Sequence, residues 1–334
     1  MNKKYHKGLV IGKFYPFHHG HQFLIETALK NSEHLTVILC QTDRYKIPPE
    51  IRAAWIKKTF PGLEVKILHH DTALDSNSTA MSKIWARLTV KFLGYSPDAV
   101  FTSENYGDPY ASFMGAKHVL VDLARKKVPI SATKIRSNIG RYWDFLPPST
   151  QNYYVQKVVV LGAESTGTTT LAKDLAAHYQ TVWAPEYGRL YYEGQMSASN
   201  SDAWRTDEFV HIAKAQNRLE EALVKKTNHG LLICDTDAFA TTLWHERYLG
   251  KSSRRVEQSV KKEKPLLYIL TDIDIPFVQD GTRDGEHLRT WMHQRFLVKL
   301  KQKKLNYFIA SGTRKQRLAF CIKKINQILN SPLS

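Results

Sequence analysis

A chain of 334 residues that is 43% hydrophobic and 24% charged has ordinary globular composition and room for about two domains, each with its own core. Its 48 Lys and Arg against 31 Asp and Glu leave a net charge of +17, split as an excess of nine over residues 1–150 and eight over 151–334. Charge spread this evenly, with no zinc-finger spacing and no helix-turn-helix before the first strand at Gly8, points away from nucleic acid and toward small polyanionic substrates.

The basic start Lys3-Lys4-Tyr5-His6-Lys7 is followed by an apolar segment of only Leu9 to Ile11, too short for a signal peptide. No apolar run approaches the roughly 18 residues that a transmembrane helix needs, so a cytoplasmic protein without membrane contact is expected. The first strand, Gly8 to Gly12, leads into a loop and a helix from about His21, with Phe23, Leu24, Ala28 and Leu29 at helical spacing. Strand-like runs follow at Leu35 to Cys40, Val65 to Leu68, Ala99 to Thr102 and His118 to Val121. Strands alternating with amphipathic helices predict a parallel sheet covered on both faces, with ligands beyond the strand carboxyl ends.

Residues 141–156, with Pro147-Pro148, interrupt this pattern before Lys157 to Leu161 starts a new strand. A helix at Leu171 to Ala176, a short strand at Thr181 to Ala184 and a helix at Glu208 to Lys225 come next. Strands at Gly230 to Cys234, Pro265 to Leu270 and Leu305 to Ala310, with a helix from Glu286 to Lys303, complete the second half. The expectation is α/β throughout: two parallel-sheet domains, residues 1–150 and 151–334. Cys40, Cys234 and Cys321 lie far apart, and two of them close apolar runs, which predicts buried thiols rather than a disulfide or metal framework.

Chemistry concentrates in two loops. In Gly12-Lys13-Phe14-Tyr15-Pro16-Phe17-His18-His19-Gly20-His21, the imidazoles of His18 and His21 fall at a helix N-terminus, where backbone N–H groups already favour anions. Gly20 is small enough for a nucleotide to approach the backbone. Ile130-Ser131-Ala132-Thr133-Lys134-Ile135-Arg136 adds the hydroxyls of Ser131 and Thr133 and the guanidinium fork of Arg136, matched to phosphate oxygens.

The second loop, Gly162-Ala163-Glu164-Ser165-Thr166-Gly167-Thr168-Thr169-Thr170, lies between a β-branched strand and a helix, as a P-loop requires. Thr169 takes the Mg²⁺-ligand position, while Thr168 stands where the usual lysine would be. Lys173 or a lid arginine are candidates to compensate. Asp235 and Asp237 end a strand and suit a metal contact and a base for a hydroxyl. Asp280-Gly281-Thr282-Arg283-Asp284-Gly285 is a glycine-containing loop able to bring Arg283, with Arg289, to a γ-phosphate. Glu186, Tyr187 and Arg189 follow the short strand and could meet an acceptor, with Trp183 stacking on its ring.

The first loop and its partner segment match in full the GxFxPxHxGH and ISxTxIR motifs of the nucleotidyltransferase superfamily. With the second loop, Glu186-Tyr187-Gly188-Arg189, Asp235-Thr236-Asp237 and the Arg283 segment, the chain from about Gly8 to its end resembles the NadR family. That family joins a Rossmann-like nucleotidyltransferase domain to a P-loop kinase-like domain, and some members carry Gly-Thr-Thr-Thr in the loop.

The resemblance implies NAD salvage in two steps with Mg²⁺-ATP. Residues 151–334 would phosphorylate nicotinamide riboside to nicotinamide mononucleotide (NMN), and residues 1–150 would adenylate NMN to NAD, releasing pyrophosphate. Gly12, Lys13, Phe14, Ser131, Thr133 and Arg136 would bind ATP in the first domain, with His18, His21 and Arg136 at the reacting phosphates. Gly162, Glu164, Ser165, Thr166, Gly167, Thr168, Thr169, Thr170 and Arg283 would bind it in the second. Asp235 and Asp237 would be catalytic there, Thr169 and Asp235 would hold the metal, and Trp183, Glu186, Tyr187 and Arg189 would meet the riboside. A homo-oligomer is compatible with this reading. The alternative keeps the adenylyltransferase and makes the P-loop domain a nucleotide sensor or weak kinase, on the strength of Thr168.

Overall fold

The structure, a computed structural model, describes residues 3–75, 78–196, 204–261, 264–279 and 285–329. It divides into two compact units, Met1–Tyr154 and Val155–Ser334. Among the described residues each unit holds a five-stranded sheet whose paired strands are all parallel, the α/β architecture expected of the sequence.

In the first unit the order is β1 (Tyr5–Gly12), α1 (His19–Asn31), β2 (Ser32–Gln41), α2 (Pro49–Thr59), β3 (Glu64–His69), α3 (Thr79–Leu93), β4 (Ala99–Thr102), α4 (Gly107–Ser112), β5 (Lys117–Leu120), α5 (Ala132–Ser137) and α6 (Pro148–Tyr154). The strands lie in the order β3-β2-β1-β4-β5. β1 is central because both of its faces are apolar: Val10 packs with Leu24, Ile25, Val37 and Phe101 on one side, while Leu9 and Ile11 pack with Ile38, Val100 and Tyr110 on the other. A strand buried on both faces reads as a continuous hydrophobic run, which is how Leu9-Val10-Ile11 stood out. Each such buried side chain contributes about 1.5–3 kcal/mol. Gly8 is required by approach, since a Cβ there would lie 2.1 Å from Ser32 Oγ. The strand order reverses beside β1, so its carboxyl end, Gly12, opens on the crevice where open α/β sheets bind ligands.

Two local expectations shift. Helix α1 begins at His19 rather than His21, because His18 in extended conformation acts as its N-cap. Residues 141–156 are not simply an interruption. Pro148 starts α6, where its fixed φ suits a first turn, and α6 packs on α2 through Trp55, Tyr153 and Tyr154.

The second unit runs β6 (Gln156–Leu161), α7 (Thr168–His178), β7 (Trp183–Ala184), α8 (Tyr187–Met196), α9 (Thr206–Val224), β8 (Leu231–Asp235), α10 (Ala238–Leu249), α11 (Arg254–Glu257), β9 (Leu267–Thr271), α12 (Arg289–Gln302), β10 (Tyr307–Ala310) and α13 (Arg314–Leu329), with strand order β10-β9-β6-β8-β7. Val158, Val160, Ile233 and Ile269 form one face, packed with Leu171 and Leu175 of α7 and Cys321 and Ile325 of α13. All three cysteines are buried and free. No described helix is long and apolar enough to cross a membrane.

Candidate active sites

Beyond β1, the loop after Gly12 folds back on itself. Phe14 takes φ +47°, a costly conformation for a bulky residue. Its ring, 1% exposed, sits in the core against Phe17 and His21. The Phe14 side chain is therefore packing.

His18 Nδ1 accepts the backbone N–H groups of Gly20 (3.0 Å) and His21 (3.3 Å). Both bonds need an unprotonated Nδ1, so the ring proton resides on Nε2 and points away from the cap. The His21 ring stacks on His18 with centroids 3.8 Å apart. Burial, followed by the neighbouring charges of His21 and Arg125, pushes His18 far below the ordinary histidine range. Burial and Arg125 bring His21 to about 3, with the Pro16 carbonyl opposing the shift. Both imidazoles are neutral donors at physiological pH. A Cβ on Gly20 would lie 2.9 Å from the His18 ring, so the glycine serves the histidine as well as any ligand.

Arg136 joins this loop: its guanidinium donates to the Tyr15 carbonyl and to Thr133 Oγ1 (3.2 Å) and lies 5.5 Å from the Tyr15 ring centre. Ser131 Oγ caps α5 by accepting from the Lys134 N–H at 3.3 Å. Lys13 pairs with Asp75 at 3.1 Å. Gly12 and Lys13 border a cavity of about 130 Å³ whose other walls include His70, Asp75, Trp85, Tyr106 and Tyr110.

Sequence reasoning missed Arg52. Fully buried, it donates to the carbonyls of Lys13, Cys40 and Ile47 and to the Gln41 side chain, and its guanidinium lies 5.7 and 5.2 Å from the Tyr15 and Tyr45 rings. It ties the histidine loop to the end of β2. An arginine within a helical stretch, with no motif around it, carries no sequence signal for that role.

In the second unit, Gly162 to Thr170 wraps the carboxyl end of β6. A Cβ on Gly162 would lie 2.1 Å from Thr271 Oγ1, and Gly167 has φ +81° at the start of α7. Both positions need glycine. Thr166 is buried, bonded to the Ala163 carbonyl and Thr271 at 2.7 Å each. Ser165 Oγ accepts from the Val278 N–H at 2.7 Å. Glu164 accepts from the Arg247 guanidinium and from the Gly285 N–H at 2.8 Å. Thr169 Oγ1 donates to Asp235 Oδ2 at 2.5 Å, and Asp235 Oδ1 is buried without a partner.

A cavity of about 340 Å³ collects Gly162, Glu164, Ser165, Gly167, Thr168, Thr169, Thr170, Glu186, Arg189 and Asp235 on its walls. Glu186 and Asp235 lie close enough to influence one another. Burial, aided at Glu186 by repulsion from Asp235, raises both carboxyls above the ordinary range.

Three expected members lie elsewhere. Asp237 caps α10 through the Ala240 N–H (3.0 Å) and accepts from Tyr268 Oη (2.7 Å). It faces a different cavity because Thr236, at φ +66°, turns the chain between the two acids. Trp183 belongs to the core beneath α7, with Lys173 Nζ 5.0 Å from its ring centre, which also accounts for Lys173. Tyr187 directs its hydroxyl to His211 at 3.5 Å rather than into the cavity. The aromatic walls are instead Tyr192, Trp204, Phe209, Trp244 and Tyr248. Trp244 and Tyr248 are four apart on α10, a spacing that a sequence reader assigns to helix packing. Arg283 lies outside the described residues. Arg289 holds the Ile275 carbonyl at 2.9 Å and lies 3.5 Å from that of Ser165.

Two parallel sheets, one ending in a histidine-bearing loop and one in a P-loop, define a nucleotidyltransferase-kinase class of protein, Rossmann-like in its first unit. The Citrate lyase ligase C-terminal domain matches residues 7–80 and an AAA domain matches residues 157–317. The chain is 29% identical over 314 residues to the "Trifunctional NAD biosynthesis/regulator protein NadR" of Escherichia coli (strain K12), covering 88% of this chain and 75% of that protein. It is 27% identical to the Salmonella typhimurium protein of the same description, covering 96% and 83%. Crystal structures of NadR protein in complex with NR and in complex with NAD and AMP-PNP share the fold. Their TM-scores are 0.73 and 0.71 at 20% identity, over 100% and 99% of this chain and 98% of each of theirs. Over nearly its whole length the chain is similar to the NadR proteins.

Proposed function

We propose that the protein makes NAD from nicotinamide riboside in two ATP-dependent steps, phosphorylation in residues 151–334 and adenylylation in residues 1–150, in the cytoplasm. The observation that carries this is the presence, in one chain, of two different phosphate loops, each at the carboxyl end of its own central strand. The similarity to NadR proteins, one of them solved with NR and another with NAD and AMP-PNP, suggests the substrates.

In the first unit a phosphate oxygen of NMN attacks the α-phosphorus of ATP, the new O–P bond forms and pyrophosphate leaves. Nothing covalent is asked of the protein, so positioning and charge stabilisation do the chemistry. His18 donates from Nε2, with His21 stacked beside it, and Arg136 brings fixed positive charge from the far side of Tyr15. Lys13 and Gly12 stand between this loop and the aromatic cavity of Trp85, Tyr106 and Tyr110, which suits the pyridine ring of NMN.

In the second unit the 5′-hydroxyl of the riboside attacks the γ-phosphorus of ATP, the new O–P bond forms and ADP leaves. Glu186 is the group best placed to take the hydroxyl proton, in the role expected of Asp237. Its carboxyl lines the cavity beside Asp235, where a cation held by Asp235 and Thr169 would favour the ionised form that can accept a proton. The orphaned Asp235 Oδ1 and the Thr169 hydroxyl are a hard-oxygen pair that fits Mg²⁺, which would neutralise phosphate charge there. Among nearby cations Arg189 borders the cavity directly, which addresses the missing lysine at Thr168. The nicotinamide ring of the riboside is a cation, and Trp204 on the cavity wall with acids alongside favours one, whereas the rings of Trp244 and Tyr248 already lie 5.3 and 4.5 Å from the Arg247 guanidinium.

A product assay with nicotinamide riboside, NMN and ATP tests both halves. NAD from either precursor, with NMN as intermediate from the riboside, is expected. NAD from NMN alone, with the riboside untouched and nucleotide retained in the P-loop, would establish the sensor reading instead.

A further inference from the structure

Gln216 of α9 is 1% exposed and borders the P-loop cavity, yet both ends of its amide are engaged away from it. Its Oε1 accepts the backbone N–H of Tyr187, the first residue of α8, at 2.9 Å, and its Nε2 donates to Glu220 Oε1 at 3.3 Å. Glu220 Oε2 in turn accepts from the ammonium of Lys157, at the start of β6, at 2.7 Å. Glu220 is 2% exposed. An ionised carboxylate only accepts hydrogen bonds, so Glu220 decides which way the Gln216 amide faces: nitrogen toward Glu220, oxygen toward Tyr187. Glu186, whose carboxyl reaches the cavity, is the residue immediately before that N–H.

Stability alone is a poor reason for such a chain. A buried ion pair is often no better for folding than apolar side chains of the same volume. The arrangement does achieve something apolar packing cannot, because a fixed acceptor over the first N–H of α8 determines where that helix begins.

We propose that Lys157, Glu220 and Gln216 form a positioning relay that sets the start of α8 and thereby aims Glu186 at the acceptor hydroxyl. This rests on the kinase reading given above. None of the three touches the reacting atoms, so they are positioning residues.

Reversing the polarity of the relay tests it. Gln216→Glu alone sets two carboxylates face to face. Glu220→Gln alone takes from Lys157 its ion-pair partner and lets the amide of Gln216 turn over. In the double exchange the carboxylate at 216 accepts both from Tyr187 and from the new amide at 220, whose oxygen takes Lys157, so the chain of bonds is restored. Each single substitution should lower kcat for riboside phosphorylation about tenfold or more without changing KM for ATP, and the double exchange should recover most of the loss. Full kcat in either single variant, or a double variant no better than the worse single, overturns the relay.

Lys157→Met with Glu220→Leu guards against misfolding. It removes both charges together, so a cooperative melt, lowered only by the unpaired Gln216 donor, shows that the fold is kept; kcat should still fall, and retained kcat overturns the proposal equally. Adenylylation of NMN by each preparation serves as its internal standard. A wild-type chain that never phosphorylates the riboside removes the kinase reading and the relay with it, whereas an active wild type with indifferent variants removes the relay alone.

Discussion

The two phosphate loops solve one problem with opposite electrostatics. The loop after β1 is furnished with side-chain donors, and burial keeps its imidazoles neutral, so its geometry is complete before any ligand arrives. The loop after β6 offers a backbone cradle facing two acids, Asp235 and Glu186, that burial holds toward protonation. One loop is organised around neutral imidazoles and the other around two buried acids, and the difference is open to attack by substitution.

The largest effect is expected at His18. Replacement by alanine should lower adenylyl transfer about 10²–10³-fold, leave riboside phosphorylation intact and cost about 1 kcal/mol through the lost cap. His18→Asn, which can cap α1, should regain the stability but not the activity. Kinetics of each half-reaction with thermal melts would show whether catalysis and capping separate. At the other loop, Asp235→Asn should lower phosphorylation about a hundredfold while leaving Tm unchanged or higher, since a carboxyl held toward protonation against its burial is removed. A large fall in Tm would show that Asp235 is structural.

Acid should distinguish the units next. His21 is displaced from 6.5 to about 3, and His18 lies lower still. The unfolded chain therefore binds protons below pH 6.5 that the folded first unit refuses. The stability from these two groups is present above that pH and falls as pH drops, by up to about 2.7 kcal/mol per unit for two protons. Asp237 runs the other way. Burial, then Glu220, raises it from 3.8 to about 6, so its contribution is complete below pH 3.8 and is lost as pH rises through about 6, roughly 3 kcal/mol in all. Denaturant melts from pH 4 to 8 should show the second unit weakening across that window. In Asp237→Asn the slope should flatten and phosphorylation should change least of all. A large loss of phosphorylation would restore Asp237 as the base.

Much of this was legible in the sequence because central parallel strands such as Leu9-Val10-Ile11 and Val158-Val159-Val160 must be apolar on both faces, and because phosphate loops need particular residues at fixed offsets. What could not be read depends on where side chains turn. His18 as a cap moved the helix start by two residues, since histidine is not among the usual capping types. Trp183 on a two-residue strand faces the core because of its parity, which nothing in so short a run declares. Trp204, Trp244 and Tyr248 converge only after α9 and α10 pack together, and Arg52 acquires its partners from three separate segments.

Thr236, in left-handed conformation, stands between two acids put to different uses. Asp235 and Asp237 are two positions apart in the gene, yet that turn places them in separate compartments, one facing the P-loop and one facing Tyr268. Selection can thus adjust the first for chemistry and the second for folding independently. A substitution scan across these three codons would report two unrelated phenotypes divided by the residue between them.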